Sequence, residues 1–144
     1  MKFLSMLIII CLYFSLANAQ VINYKSIKGT WEYESPKKKN KLTYKFDVDN
    51  KFISILERKG NELQTDGSYE IYKTGDLDQL KLTTPDKGSG VRTLILYYFI
   101  KPLGPDTIKI QHVNDKQTNW LRETRKNTMT FIRKKEKVKE EKSN

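Results

Sequence analysis

From Leu42 to Val48 apolar and polar residues alternate without a break, Leu-Thr-Tyr-Lys-Phe-Asp-Val. Only an extended strand turns successive side chains to opposite faces, so this stretch predicts a strand whose dry face carries Leu42, Tyr44, Phe46 and Val48. The DVDNK that follows is rich in turn formers and leads into KFISILER, which predicts a hairpin. Further strands are expected at GTWEYES, GSYEIY, QLKLTT, VRTLILYYFI, DTIKIQHV and NTMTFIRK, with KGNE, KTGD, PDKGSG and PLGPD as the breaks between them. Eight strands at intervals of roughly 10 to 15 residues predict an all-β fold. The arrangement expected is a single up-and-down antiparallel eight-stranded barrel, with a sandwich as the other way to close such a sheet. TNWLRETRKN (118–127) fits a helical turn, an extended loop or part of a longer hairpin equally well.

The first nineteen residues stand outside this pattern. Lys2 gives a positive start, Leu4 to Leu16 is largely apolar, and Ala17-Asn18-Ala19 ends in the small-x-small pattern of a signal-peptide cleavage site. Residues 1–19 are therefore read as a signal peptide, 20–134 as one barrel domain and 135–144 as a charged tail. An exported, periplasmic or extracellular protein is expected. Cys11, the only cysteine, leaves with the signal, so stability must come from a packed core and not from disulfides. About 125 remaining residues suit one such core.

The chain carries 27 basic residues against 17 acidic ones, and the surplus gathers in SPKKKNK (35–41) and RKKEKVKEEK (133–142). Clusters of this kind read first as solvated surface that keeps a protein soluble, and second as a weak contact with an anionic surface. No specific nucleic-acid partner is expected. Val91 to Ile100 is apolar on both faces, with Leu94, Leu96, Tyr98 and Ile100 alternating with Ile95, Tyr97 and Phe99. One face fills the interior; the other needs a loop or helix over it, or a partner.

Gly-x-Trp on the first strand of a secreted, eight-stranded chain resembles the lipocalins, and the small bacterial lipocalin-like domains in particular. The resemblance implies that the Trp points inward at the closed end of the barrel, with a basic residue from the end of the last strand stacked over it. The matching positions are Gly29, Trp31 and Arg133. Strand parity agrees, because Met129, Phe131 and Arg133 share one face. The likeness spans residues 20–134 and is that of an outlying member. The family's Thr-Asp-x-Tyr corner belongs where this chain has KPLGPD, and the cysteines of many members are missing.

Chemistry is sparse. His112 is the only histidine, and a lone one reads as a barrel-lining or rim residue rather than a catalytic or metal-binding one. It becomes catalytic only in a pocket beside a carboxylate such as Asp106 or Asp115. DVDNK fails as a calcium loop, since Lys51, Phe52 and Arg58 stand where a ligand, a glycine and a glutamate are needed. DKGSGVR leads into a strand, so it offers no helix N-terminus to a phosphate and reads as a loop at the rim. No enzyme, cofactor or metal is expected. An eight-stranded barrel either fills its interior or holds one small molecule. The leading expectation is a small apolar or amphipathic ligand lined by Tyr33, Tyr44, Phe46, Tyr69, Leu82, Leu96, Tyr98 and Ile110. The alternative is a filled barrel acting as a structural or interaction protein at the cell envelope through its basic clusters.

Overall fold

The computed structural model describes residues 21–47, 49–85 and 93–135; the expected signal segment, the glycine loop at 86–92 and most of the charged tail lie outside them. One helical turn, α1 (Tyr24–Ile27), precedes eight strands: β1 (Gly29–Glu34), β2 (Asn40–Phe46), β3 (Lys51–Arg58), β4 (Asn61–Thr74), β5 (Leu77–Pro85), β6 (Thr93–Gly104), β7 (Thr107–Val113) and β8 (Thr128–Arg133). Each strand pairs antiparallel with the next, and β8 pairs back with β1. The result is the closed up-and-down barrel that the alternation predicts.

The inner face follows the period of two. Trp31 lies opposite Tyr44, Phe46 opposite Phe52, Tyr69 opposite Leu82, Leu80 opposite Tyr98, and Ile108 opposite Phe131. These residues, with Ile100 and Ile110, are buried and form one hydrophobic cluster. Together they exclude water from the half of the barrel where β1 begins and β8 ends, which is the main stabilising term available to a chain without disulfides.

α1 seals that end. Four residues are too few for a helix to persist alone, so its ends must be held. The Asn23 side chain accepts hydrogen bonds from the Lys25 and Ser26 amides, and the Ser26 hydroxyl accepts one from the Asn23 amide, a reciprocal capping box. Ile22 and Ile27 then reach the core, Tyr24 stands 5.6 Å from Tyr69 between ring centroids, and its hydroxyl accepts the Ile71 amide. This turn was not foreseen, because it is too short to show a helical period.

Two strands differ from expectation. β4 begins at Asn61 and not at Gly67, so its first, polar half pairs with β3 alone, while only Ser68 to Thr74 pair with β5. The change falls next to Gly67, where an added Cβ would run into the Thr83 carbonyl oxygen and stand 2.8 Å from Phe52 Cε1. β6 runs on through Pro102 and Leu103 to Gly104, past the expected break, with an irregularity in its pairing to β7 at that point.

The outer face of β5 to β7 is covered toward Phe99, whereas Ile95 at the β5–β6 end stays 42% exposed. Phe99, Gln79, Gln111 and Val113 are buried there, although they lie on the outside of the barrel. The 114–127 segment, an irregular loop and not a helix, lies over Gln111. Gln111 donates to the Leu121 carbonyl at 3.0 Å and accepts the Leu121 amide at 2.7 Å, so a side chain takes the part of a strand neighbour. Glu123 ties down the same segment, accepting from Lys109 at 2.8 Å and from the Trp120 indole at 3.1 Å. Lys101 sits 5.0 Å from the Trp120 ring centre.

Replacing Gly67 by alanine is expected to cost about 3 kcal/mol, since the obstructing atom is backbone and cannot rotate away. Urea denaturation of the variant measures this. Replacement of Gly75, whose Cβ position is open although its φ is +59°, should cost less than half as much.

Candidate functional site

The barrel has two unlike ends. At the closed end Arg133, the last residue of β8, lies directly opposite Trp31 of β1, with its guanidinium carbon 4.1 Å from the indole centre. The same guanidinium donates to the Lys28 carbonyl, and to the Ser26 carbonyl at 2.6 Å, while its Nε stands 3.3 Å from an Asp106 carboxylate oxygen. The indole N–H donates to the Ile27 carbonyl at 2.6 Å. The arginine thus stacks on the indole with its face and satisfies the otherwise open carbonyls at the end of α1 with its edge. Gly29 explains the first letter of the motif. Its φ is +116°, and a Cβ would stand 3.0 Å from Arg133 Nη1, so the close approach of the arginine needs a residue without a side chain.

Above this floor lies a layer of aromatic rings. Tyr44 stacks on Phe131 at 5.3 Å, and Phe46 meets Tyr69 edge to face at 4.9 Å. The hydroxyls of Tyr44 and Tyr98 interact across the interior, between β2 and β6. Burial, and then the neighbouring Tyr98 hydroxyl, pushes Tyr44 well above the ordinary tyrosine value of 10.0. Burial raises Tyr98 too, with the Tyr44 hydroxyl working against it. Of the eight residues expected to line a ligand, six are therefore part of a packed layer: Tyr44, Phe46, Tyr69, Leu82, Tyr98 and Ile110.

The other two, Tyr33 and Leu96, stand higher and are only half-buried. At their level Tyr33, Leu42, Leu56 and Leu63 occupy one row of register partners across β1 to β4. Leu94 and Leu96 lie on the inner face of β6, and Met129 on that of β8. Exposure rises along this wall, from half-buried Leu42 and Leu56 to Leu94 at 53% and Leu63 at 63%. β1 and β8 pair only at Trp31 and Glu32, and β4 pairs with β5 only from Ser68 onward. Above the two tyrosines the inward residues of β1 to β4, β6 and β8 are apolar and increasingly exposed, and we refer to this end of the barrel as its mouth.

Sequence reasoning missed Leu56 and Leu63 because Ile53 and Ile55, on the outer face of β3, are more apolar than inward Ser54. The first half of β4 carries a single large apolar residue and shows no period. His112 lies on the mouth side of β7 opposite Tyr98, exposed, with its ring 5.4 Å from the tyrosine ring. Asp106 is at the other end of β7, on Arg133, and among the described residues no carboxylate lies within ion-pair distance of His112. Nor do three or more His, Cys, Asp or Glu side chains come together as a metal site among them.

The rim of the mouth is basic. Lys38 and Lys39 in the β1–β2 turn and Arg58 and Lys59 at the β3–β4 turn line one depression of about 680 Å³. A separate groove of about 800 Å³ lies at the closed end, lined by Lys28, Lys45, Lys51, Phe46 and Phe52 among others. It opens to the outside of the sheet and not into the mouth.

The architecture is consistent with a calycin-like fold. No family model matches the chain, and neither a curated protein nor a solved structure is significantly similar to it.

Two outcomes are expected. Arg133→Met should cost about 2–4 kcal/mol in urea denaturation, from two charge-assisted hydrogen bonds and the stack. Arg133→Lys should recover less than half of this, because an ammonium lacks the planar fork. The tyrosine pair predicts a pH effect. Both hydroxyls titrate higher folded than unfolded, so their contribution to stability is whole below the ordinary value of 10.0 and is lost as pH rises through and beyond it. The drop in melting temperature between about pH 8 and about pH 11 should be smaller in Tyr44→Phe than in the unsubstituted chain.

Proposed function

We propose that this chain is an exported, lipocalin-like binding protein that holds a small apolar or amphipathic molecule in the mouth of its barrel. The observation that carries the reading is the division of the interior. The core residues are fully buried, whereas Tyr33, Leu42, Leu96 and Met129, which pack against them, and Leu56 remain half-buried on the inner face. Apolar side chains left half in water around a concave mouth gain by covering one another with a ligand. The Gly29–Trp31–Arg133 clasp supports the lipocalin-like reading, and the signal-like first nineteen residues support export. A non-catalytic role is part of the proposal, since the mouth offers His112 without a carboxylate beside it.

A second reading, a filled barrel acting at the cell envelope through its basic clusters, draws support from the tyrosine pair, which leaves no channel through the barrel's middle. The two part on one measurement. An environment-sensitive apolar fluorophore titrated into the purified protein should bind, be displaced by a long-chain fatty acid, and lose at least tenfold in affinity in Leu96→Arg and in Leu56→Arg. Binding that is absent, or unchanged in both variants while they remain folded by circular dichroism, rejects the mouth as a site and leaves the second reading.

A further inference from the structure

The positive surplus of this chain is not spread evenly over the barrel. Five of the strand cations are matched, Lys41 with Glu32 and Glu57, Lys81 with Glu70, Lys109 with Glu123, Lys73 with Asp78 and Arg133 with Asp106. At the rim they are not. Among the described residues Lys38, Lys39, Arg58 and Lys59 have no carboxylate within ion-pair distance; Glu34, Glu57 and Glu62 line a second depression beside them, so these cations outnumber the carboxylates there without being paired to them. Two separate turns bring the cations together, and Lys38 and Lys59 each sit in the left-handed region, at φ 52° and 53°. Glycine or asparagine relieves such backbone at no loss of solubility, yet both turns carry lysine there.

Exposed leucines stand beside this charge. Leu63 follows Lys59 by four residues on the same hairpin, 63% exposed, and Leu94 and Ile95 are exposed at the same end of the barrel. An acidic polysaccharide would answer the lysines but has no use for the leucines. The headgroup layer of an anionic bilayer answers both, since phosphates meet the cations while apolar tips enter the acyl boundary.

We infer that the rim formed by the β1–β2 and β3–β4 turns is a docking surface for anionic lipid membranes, holding the barrel mouth-down on the headgroups. It deepens the proposed function, on which it rests for the cargo alone: an amphiphile would pass between bilayer and mouth without crossing water. The docking itself stands on the rim.

The test is cosedimentation of the full chain with vesicles of phosphatidylglycerol and phosphatidylcholine in equal parts, and with vesicles of phosphatidylcholine alone. The expected result is binding to the first and not the second, weakening severalfold from low to physiological salt as the Debye length shortens. Lys39→Glu with Lys59→Glu should reduce it at least tenfold, and Leu63→Asp should reduce it without altering the salt dependence. Equal binding to both vesicles, no binding, binding untouched by the double variant, or retention on a sulfated polysaccharide that outcompetes the vesicles would each overturn the inference. The double variant must still take the apolar fluorophore in vesicle-free buffer. That arm reports on the mouth alone, so loss of docking and loss of ligand binding are read separately.

Discussion

A sheet of eight short strands becomes a barrel only if its first and last strands are held together, and here that seam is two residue pairs long. Trp31 faces Arg133 and Glu32 faces Ile132, with backbone bonds from the Lys134 amide to the Thr30 carbonyl and from the Arg133 amide to the Asp106 carbonyl beside them. So short a ladder is weak by itself. What reinforces it is the guanidinium of Arg133, which binds the indole of β1, the carbonyls of α1 and the β6–β7 turn at once. One side chain thus gathers the start, the end and the floor of the chain into a single contact, and the positive φ of Gly29 is the local concession that lets it fit.

The interior follows from that closure. With the floor sealed by Ile22, Ile27 and Trp31, the next layer can be aromatic on β2, β3 and β8, aliphatic on β5 and β7, and dry, and the Tyr44 and Tyr98 hydroxyls meet within it. Above the tyrosine pair the hairpins part company: β3 and β4 stay together, as do β5 and β6, but the β4–β5 pairing ends at Ser68. The close approach of Gly67 to Thr83 and Phe52 falls where the β4–β5 pairing begins. Packing and binding surface are two halves of one geometry, and the unpaired cations stand at the half that faces out.

Much of this was legible in the residues. The strict alternation of Leu42 to Phe46 and the regular turn signals were enough for strand number and order, because antiparallel neighbours joined by short turns leave few other topologies. The parity of Met129, Phe131 and Arg133 placed the arginine on the inner face. The mouth was harder to read. Tyr44, Tyr69 and Tyr98 have the composition of a ligand pocket, but inward direction says nothing about height along the strand, and height decides whether a tyrosine meets another side chain or a guest. Leu56 and Leu63 were hidden because polar stretches such as NELQTD show no period when only one neighbouring strand covers them. Arg58 and Lys59 lie far in sequence from Lys38 and Lys39, so no charge run announces the cluster that two turns assemble. Gln111 is a further case: a glutamine amid Ile110 and His112 gives no hint that it anchors the 114–127 loop.

The account stands or falls on the seam between β1 and β8, and amide hydrogen exchange followed by NMR on the unsubstituted protein tests it most directly. Closure predicts that the Lys134 amide, which bonds across the seam to the Thr30 carbonyl, exchanges as slowly as amides in the middle of the β2–β3 ladder, since it would open only with the whole fold. Rapid exchange of the Lys134 amide, with β2 and β3 still protected, would show a sheet whose edges never meet and would contradict it.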